Sequence, residues 1–171
     1  IIIFMALASV THAALTSMQQ IEVKTFEKMR NVERYQIKIA EKHFLSGNFK
    51  VALAEYEKFL TLYQKSPGAP YAQLMWSHTR MNLKKRKGAR RDGFQSVIDY
   101  WPEAHEATVA AYCIADSYRT MGEVKDAQKA LRCLIKENPK NCLVDTSDAA
   151  HQPLRIALRD PDHLYTKGDD T

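Results

Sequence analysis

The sequence predicts an all-α chain: about three helix–turn–helix repeats stacked into a solenoid, preceded by a long N-terminal helix. Three observations carry that expectation. Apolar residues recur at helical spacing, as in Val109, Ala110, Ile114, Ala115 and Tyr118. Gly47, Gly122 and Pro139 punctuate these runs where a helix has to turn or stop. One pair of offsets, 38 and then 37 residues, relates three segments of the chain.

The offsets place Ala40, His78 and Ala115 in register, and likewise Ala52, Arg90 and Ala127. They also relate Tyr56, Phe94 and Leu131, then Phe59, Val97 and Leu134, then Leu60, Ile98 and Ile135, then Gln64, Pro102 and Pro139. Gly47 and Gly122 match, with Lys85 between them. Two antiparallel helices approach closely only where side chains are short, so an alanine on each helix sets their separation. A single hairpin cannot bury its apolar face, whereas three stacked hairpins can.

The elements follow in order. Residues 1–14 are an uncharged run, IIIFMALASVTHAA, ending in small residues, and they read as the remnant of a secretory signal peptide. Residues 15–32 extend the first repeat, because Met18, Ile21, Phe26, Met29, Val32 and Tyr35 step by three to five residues; one helix is predicted from about Ser17 to Ser46. Three repeats occupy 33–70, 71–107 and 108–141. In the first, the turn GNF leads into a helix carrying Val51, Ala52, Tyr56, Phe59, Leu60 and Tyr63. The second is degenerate, with His78, Lys85 and Arg90 at the Ala, Gly and Ala positions. In the third, Val124, Ala127, Leu131, Leu134 and Ile135 share one face of the second helix. Residues 142–171 read as a partly disordered tail.

Charge is concentrated. The 171 residues include 25 Lys and Arg against 20 Asp and Glu, a formal net charge of +5. The octet Lys84–Arg91 holds six of the basic residues and no acidic one, so the rest of the chain, 19 against 20, is nearly neutral. The basic residues Lys84, Lys85, Arg86, Lys87, Arg90 and Arg91 form a candidate docking patch for an acidic protein or an anionic membrane surface. No aromatic residues interleave with them, which argues against nucleic acid. No phosphate loop, HExxH, G-x-S-x-G or EF-hand loop is present, so no catalytic residue, metal or cofactor is expected. Cys113, Cys133 and Cys142 form no metal or redox motif; they read as unpaired thiols, with one bridged pair and one thiol left over as the alternative in an exported protein. His43 and His78 read as packing residues, and His105 and Glu106 are assigned no role.

The segment AAYCIADSYRTMGEVKDAQKALRCLIKENP resembles a tetratricopeptide (TPR) repeat through Ala115, Tyr118, Gly122, Ala127 and Pro139, and AEKHFLSGNFKVALAEYEKFLTLY is similar. The resemblance covers about Glu33 to Asn141. The longer inter-unit linkage is similar to that of bacterial envelope TPR proteins of the BamD and CpoB types. It implies a right-handed TPR-like solenoid that binds protein segments and performs no chemistry. It further implies a groove lined by the first helix of each unit: Arg34, Ile37, Glu41 and Phe44, then Met75, Thr79 and Asn82, then Val109, Tyr112, Asp116 and Arg119. The expected function is a scaffold or adaptor in assembly of an exported, periplasmic or envelope complex. Alternatives are an accessory subunit that promotes oligomerisation of a larger periplasmic enzyme complex, or an envelope biogenesis factor. The expected partners are proteins, at least one of them acidic, with a second copy of the chain a candidate at the uncapped repeat ends.

Overall fold

A computed structural model describes residues 19–137 of the chain. The expected leader at 1–14, the tail at 142–171, the side chains of Arg91, Cys133, Leu134 and Ile135, and Cys142 and Pro139 lie outside the described residues. Among the described residues every regular element is helical. The helices are α1 (Val23–Lys28), α2 (Asn31–Leu45), α3 (Phe49–Leu62), α4 (Ala69–Asn82), α5 (Arg86–Gly88), α6 (Gln95–Tyr100), α7 (His105–Thr120) and α8 (Val124–Glu137), with a π-helical segment at Ala89–Phe94 between α5 and α6. Consecutive hairpins pack on one another: α3 lies against both α2 and α4, and α7 against α4, α6 and α8.

The predicted single N-terminal helix is two helices. Met29 and Arg30 are extended, with ψ of 148° and 155°. The break is held by Glu33, whose carboxylate accepts the Arg30 backbone N–H at 2.8 Å and the Arg30 guanidinium Nε–H at 2.8 Å. This is the glutamate half of a capping box: arginine has no acceptor to return a bond to the Glu33 N–H, so the usual Ser or Thr signature is missing from the sequence. Burial alone would raise the Glu33 pKa; the Arg30 backbone and side-chain bonds outweigh it and hold the carboxyl below its ordinary value. The break turns Met29 into the core, where it is buried among Ile37, Ala40, Ala52, Tyr56 and Phe59.

The middle unit departs from its neighbours less than expected, with Lys84 still in place of the turn glycine, and its register differs from the expected one. Three described residues leave their helices with positive φ: Gly47 at 73°, Lys84 at 59° and Gly122 at 76°. The turn therefore falls on Lys84, one residue before Lys85. Seven residues before each turn lie Ala40, Ser77 and Ala115, and five residues after it lie Ala52, Ala89 and Ala127. All six are fully buried. His78 and Arg90 thus do not stand at the small-residue positions; Ser77 and Ala89 do. The first half of the unit runs at offsets 37 and 38, and the half from Phe94 onward at 38 and 37. The π-helical turn at Ala89–Phe94 absorbs the extra residue, since its wider i→i+5 winding accommodates one more residue per turn. Phe94 and Val97 consequently return to the second buried cluster with Leu74, Ala89, Val109 and Ala110.

Gly93 makes this geometry possible. A Cβ there would lie 2.3 Å from Ser77 Oγ, 2.9 Å from Ser77 Cβ and 3.2 Å from the Trp76 ring. An alanine in place of a helical glycine normally gains up to ~1 kcal/mol. At Gly93 it is expected to cost about 1–3 kcal/mol by overpacking against α4. Denaturant titration reads the difference; a Gly93→Ala chain as stable as the parent would show that α4 and the π-turn are not in close contact.

Candidate interaction surfaces

The face shared by α2, α4 and α7 contains most of the sequence-predicted groove residues, but in several different environments. Ile37 and Val109 are fully buried in the two apolar clusters. Met75 and Thr79 are also fully buried, and Thr79 Oγ1 donates back to the Met75 carbonyl at 2.7 Å. These four residues hold helices together and do not face solvent, which corrects their assignment to the groove surface. The one-residue register difference makes Tyr71, Leu74 and His78, not Met75 and Thr79, the counterparts of Arg34, Ile37 and Glu41, and Tyr71 and Leu74 are themselves fully buried. Phe44 is half-buried and packs edge-on against Phe49, with ring centroids 5.5 Å apart. Asn82 is exposed and bonds the His78 carbonyl at 3.0 Å. Arg119 is exposed and pairs with Asp116 of its own helix at 2.6 Å, and Tyr112 is half-buried.

Arg34 and Glu41 are engaged. Tyr71 Oη on α4 donates to Glu41 Oε1 on α2 at 2.5 Å and also approaches the Gln19 carbonyl at 2.9 Å. Burial pushes the Glu41 carboxyl up, against the opposing effects of Tyr71 and Lys38. The Tyr71 and Tyr56 phenols are pushed far above their usual range, first by burial and then by the Glu41 charge. The Arg34 guanidinium donates to the Glu27 carbonyl and lies over the Phe26 ring. Tyr71 was not among the groove residues expected from sequence, because the fixed 38-residue offset from Arg34 points to Ala72. Glu106, given no role from sequence, is 6% exposed near the start of α7; burial, then the charge of Glu22, pushes its carboxyl up.

His78 and Cys113 meet where α4 packs on α7, with Nε2 and Sγ 3.7 Å apart and the Phe94 ring edge-on to the imidazole. A nucleophilic cysteine needs a depressed thiol pKa and a base able to take its proton. Here burial, followed by the Asp116 charge, drives the thiol pKa well up. Burial pushes the His78 pKa down to about 4, with Asp116 opposing. A neutral ring beside a protonated thiol is an interhelix contact without an activated nucleophile. Among the described residues no group of three or more His, Cys, Asp or Glu is arranged to hold a metal ion.

The basic octet divides in two. Lys84, Lys85, Arg86 and Lys87 are exposed in the turn and α5. Arg90 is not part of that surface. Its side chain is 14% exposed, stacks 4.1 Å from the Tyr118 ring centroid and reaches Glu123 Oε2 at 3.2 Å, joining the π-turn to the α7–α8 hairpin. On another side, a cavity of about 540 Å³ opens between α3, α4 and α6, walled by Trp76, Tyr100, Trp101, Glu57 and Asp92. Trp76 Nε1 donates to Glu57 Oε1 at 3.0 Å, and the Arg80 guanidinium lies 4.6 Å from the Trp76 ring and 3.9 Å from Asp92, so a cation of the chain itself already takes that aromatic face.

Among the described residues no helix is long and apolar enough to cross a membrane. Compared with known proteins, the chain matches no family model, no curated protein and no solved structure.

Proposed function

We propose that the protein is a non-enzymatic, TPR-like scaffold that brings proteins together in assembling an exported multiprotein complex. The supporting observation is the recurrence, at the same 7- and 5-residue spacings, of a buried small residue, a positive-φ turn and a second buried small residue in three successive hairpins. Such an array makes each unit depend on its neighbours and leaves long faces for protein segments. The protonation states of His78 and Cys113 support a role without chemistry. The uncharged leader supports export to the periplasm or envelope, as in the BamD and CpoB resemblance.

In this reading the exposed turn Lys84–Lys87 docks an acidic partner, with an anionic membrane surface as the competing ligand. Replacing Lys84, Lys85, Arg86 and Lys87 together with Ser is expected to weaken partner binding by about tenfold at low ionic strength, with the helical signal unchanged. The loss should shrink as salt approaches 0.5 M, where exposed charges are screened. Partner capture followed by titration at two salt concentrations measures it. Binding indifferent to both the substitutions and the salt would remove the basic turn from the function, and recovery of no partner would remove the scaffold.

A second reading, assembly through copies of the chain itself, rests on one observation. Val32 and Tyr35 on α2 are 55% and 70% exposed on the first hairpin, an apolar edge that none of the described residues covers. Sedimentation of the full chain with and without Tyr35→Glu distinguishes it, since a strictly monomeric parent excludes it.

A further inference from the structure

Residues 19–28 lie across the very face that a TPR-like scaffold offers to partners. The Gln19 carbonyl lies 2.9 Å from the Tyr71 hydroxyl on α4. Ile21 and Phe26 pack, half-buried, against the cluster around Ile37, Tyr56 and Tyr71. The Phe26 ring sits between the cations of Arg34 and Lys38, each 5.4 Å from its centroid. Glu22 reaches the neighbourhood of Glu106 on α7. One short segment thus contacts the first helices of the first two units and approaches that of the third.

We propose that this face is a binding groove for an amphipathic segment of a partner protein with two apolar anchors five residues apart and a cation beside the first, and that residues 19–28 fill it in cis as a weak stand-in. The weakness is visible in the segment. The helix α1 has six residues, no side-chain cap and no buried residue, so it is held by its docking contacts and not by its own helicity. Its linkage to α2 is the extended pair Met29–Arg30, which leaves the Arg30–Glu33 cap intact if the segment lifts. Its charge is also wrong for the site. Glu22 brings a carboxylate towards Glu106, a carboxyl only 6% exposed near the start of α7. A lysine or arginine at that place in a partner segment replaces repulsion with attraction, while apolar residues at the Ile21 and Phe26 places keep the anchors. The proposal rests on the scaffold reading only in taking the first helices as the recognition face.

The test uses the full chain and two labelled synthetic peptides: residues 19–30 as they stand, and the same peptide with Glu22→Lys. The parent chain is expected to bind both weakly, because the tethered segment competes at a high effective concentration. A chain carrying Ile21→Ser and Phe26→Ala should bind the native peptide at least about tenfold more tightly than the parent. The Glu22→Lys peptide should bind it several-fold more tightly again, an advantage that disappears when Glu106→Gln is added. Equal binding by parent and substituted chains, or none by either, overturns the proposal. Hydrogen exchange on the unsubstituted chain is decisive even if the double variant fails to fold: amides of 23–28 should exchange far faster than those of 31–45, and equal protection overturns a displaceable segment. None of these readouts needs the natural partner, so failure to capture one sinks the scaffold reading and leaves the groove result standing.

Discussion

Phe59→Ala is expected to cost about 3–5 kcal/mol of folding stability. Phe59 is fully buried on α3 among Ile37, Met29, Tyr56 and Tyr71, and its ring meets Tyr63 edge-on with centroids 5.3 Å apart. It lies where α3 contacts both α2 and α4, so its removal loosens the first hairpin and the joint to the second at once. An Ala side chain leaves a void that these helices cannot close without losing the fixed separation set by Ala40 and Ala52. Chemical denaturation gives the value directly. Tyr100→Ala is the control: Tyr100 is 75% exposed on α6, and the same truncation there should change stability by less than about 1 kcal/mol. If the two variants lose comparable stability, the core is not where the structure puts it.

The second large effect is a pH dependence. The His78 pKa is about 4 in the folded chain against 6.5 for a free imidazole, with burial the main cause. Between those values the unfolded chain binds more protons at this site, so stability rises with pH. The neutral ring contributes its stability fully above pH 6.5, and that contribution is lost as pH falls towards 4. The difference corresponds to at most about 3 kcal/mol. Glu41 and Glu106 act in the opposite direction, because burial raises their pKa values and their contribution is lost as pH rises. The comparison that isolates the histidine is therefore parent against His78→Gln. The parent should lose up to about 3 kcal/mol more than the variant on going from pH 7 to pH 4. Parallel stability curves would show that the ring is hydrated and titrates normally.

These two predictions concern the joint that α3 makes with α2 and α4 and the joint between α4 and α7, and the proposed scaffold would need both. Each hairpin buries little alone. Losing one joint should therefore separate the proposed groove across α2, α4 and α7 from the basic turn of the middle unit.

Helical class and core residues of the second helices were legible in the sequence. Tyr56, Phe59, Phe94, Val97, Ala127 and Leu131 are all buried as their spacing requires. The periodicity of apolar side chains is a local property, and so is the need for a short residue where two helices touch. The spacing also isolated the exposed run Lys84–Lys87, because charge clustering needs no fold to be seen. Three things could not be read. The helix break at Met29–Arg30 depends on an arginine and a glutamate acting as a cap, a role that neither residue type announces. The true register of the middle unit depends on a π-turn, which exists because Gly93 lets Ser77 come close; a constant offset placed the small residues, and the counterparts of Ile37 and Glu41, one position late. Arg90 left the basic surface because Tyr118 and Glu123, about thirty residues away, form a site for it. The sequence by itself determined that this chain is helical, with its excess positive charge at one turn. Only the tertiary structure decided which side chains remain on the surface and that residues 19–28 lie across the first helices, because both depend on contacts between residues distant in the chain, which no local spacing encodes.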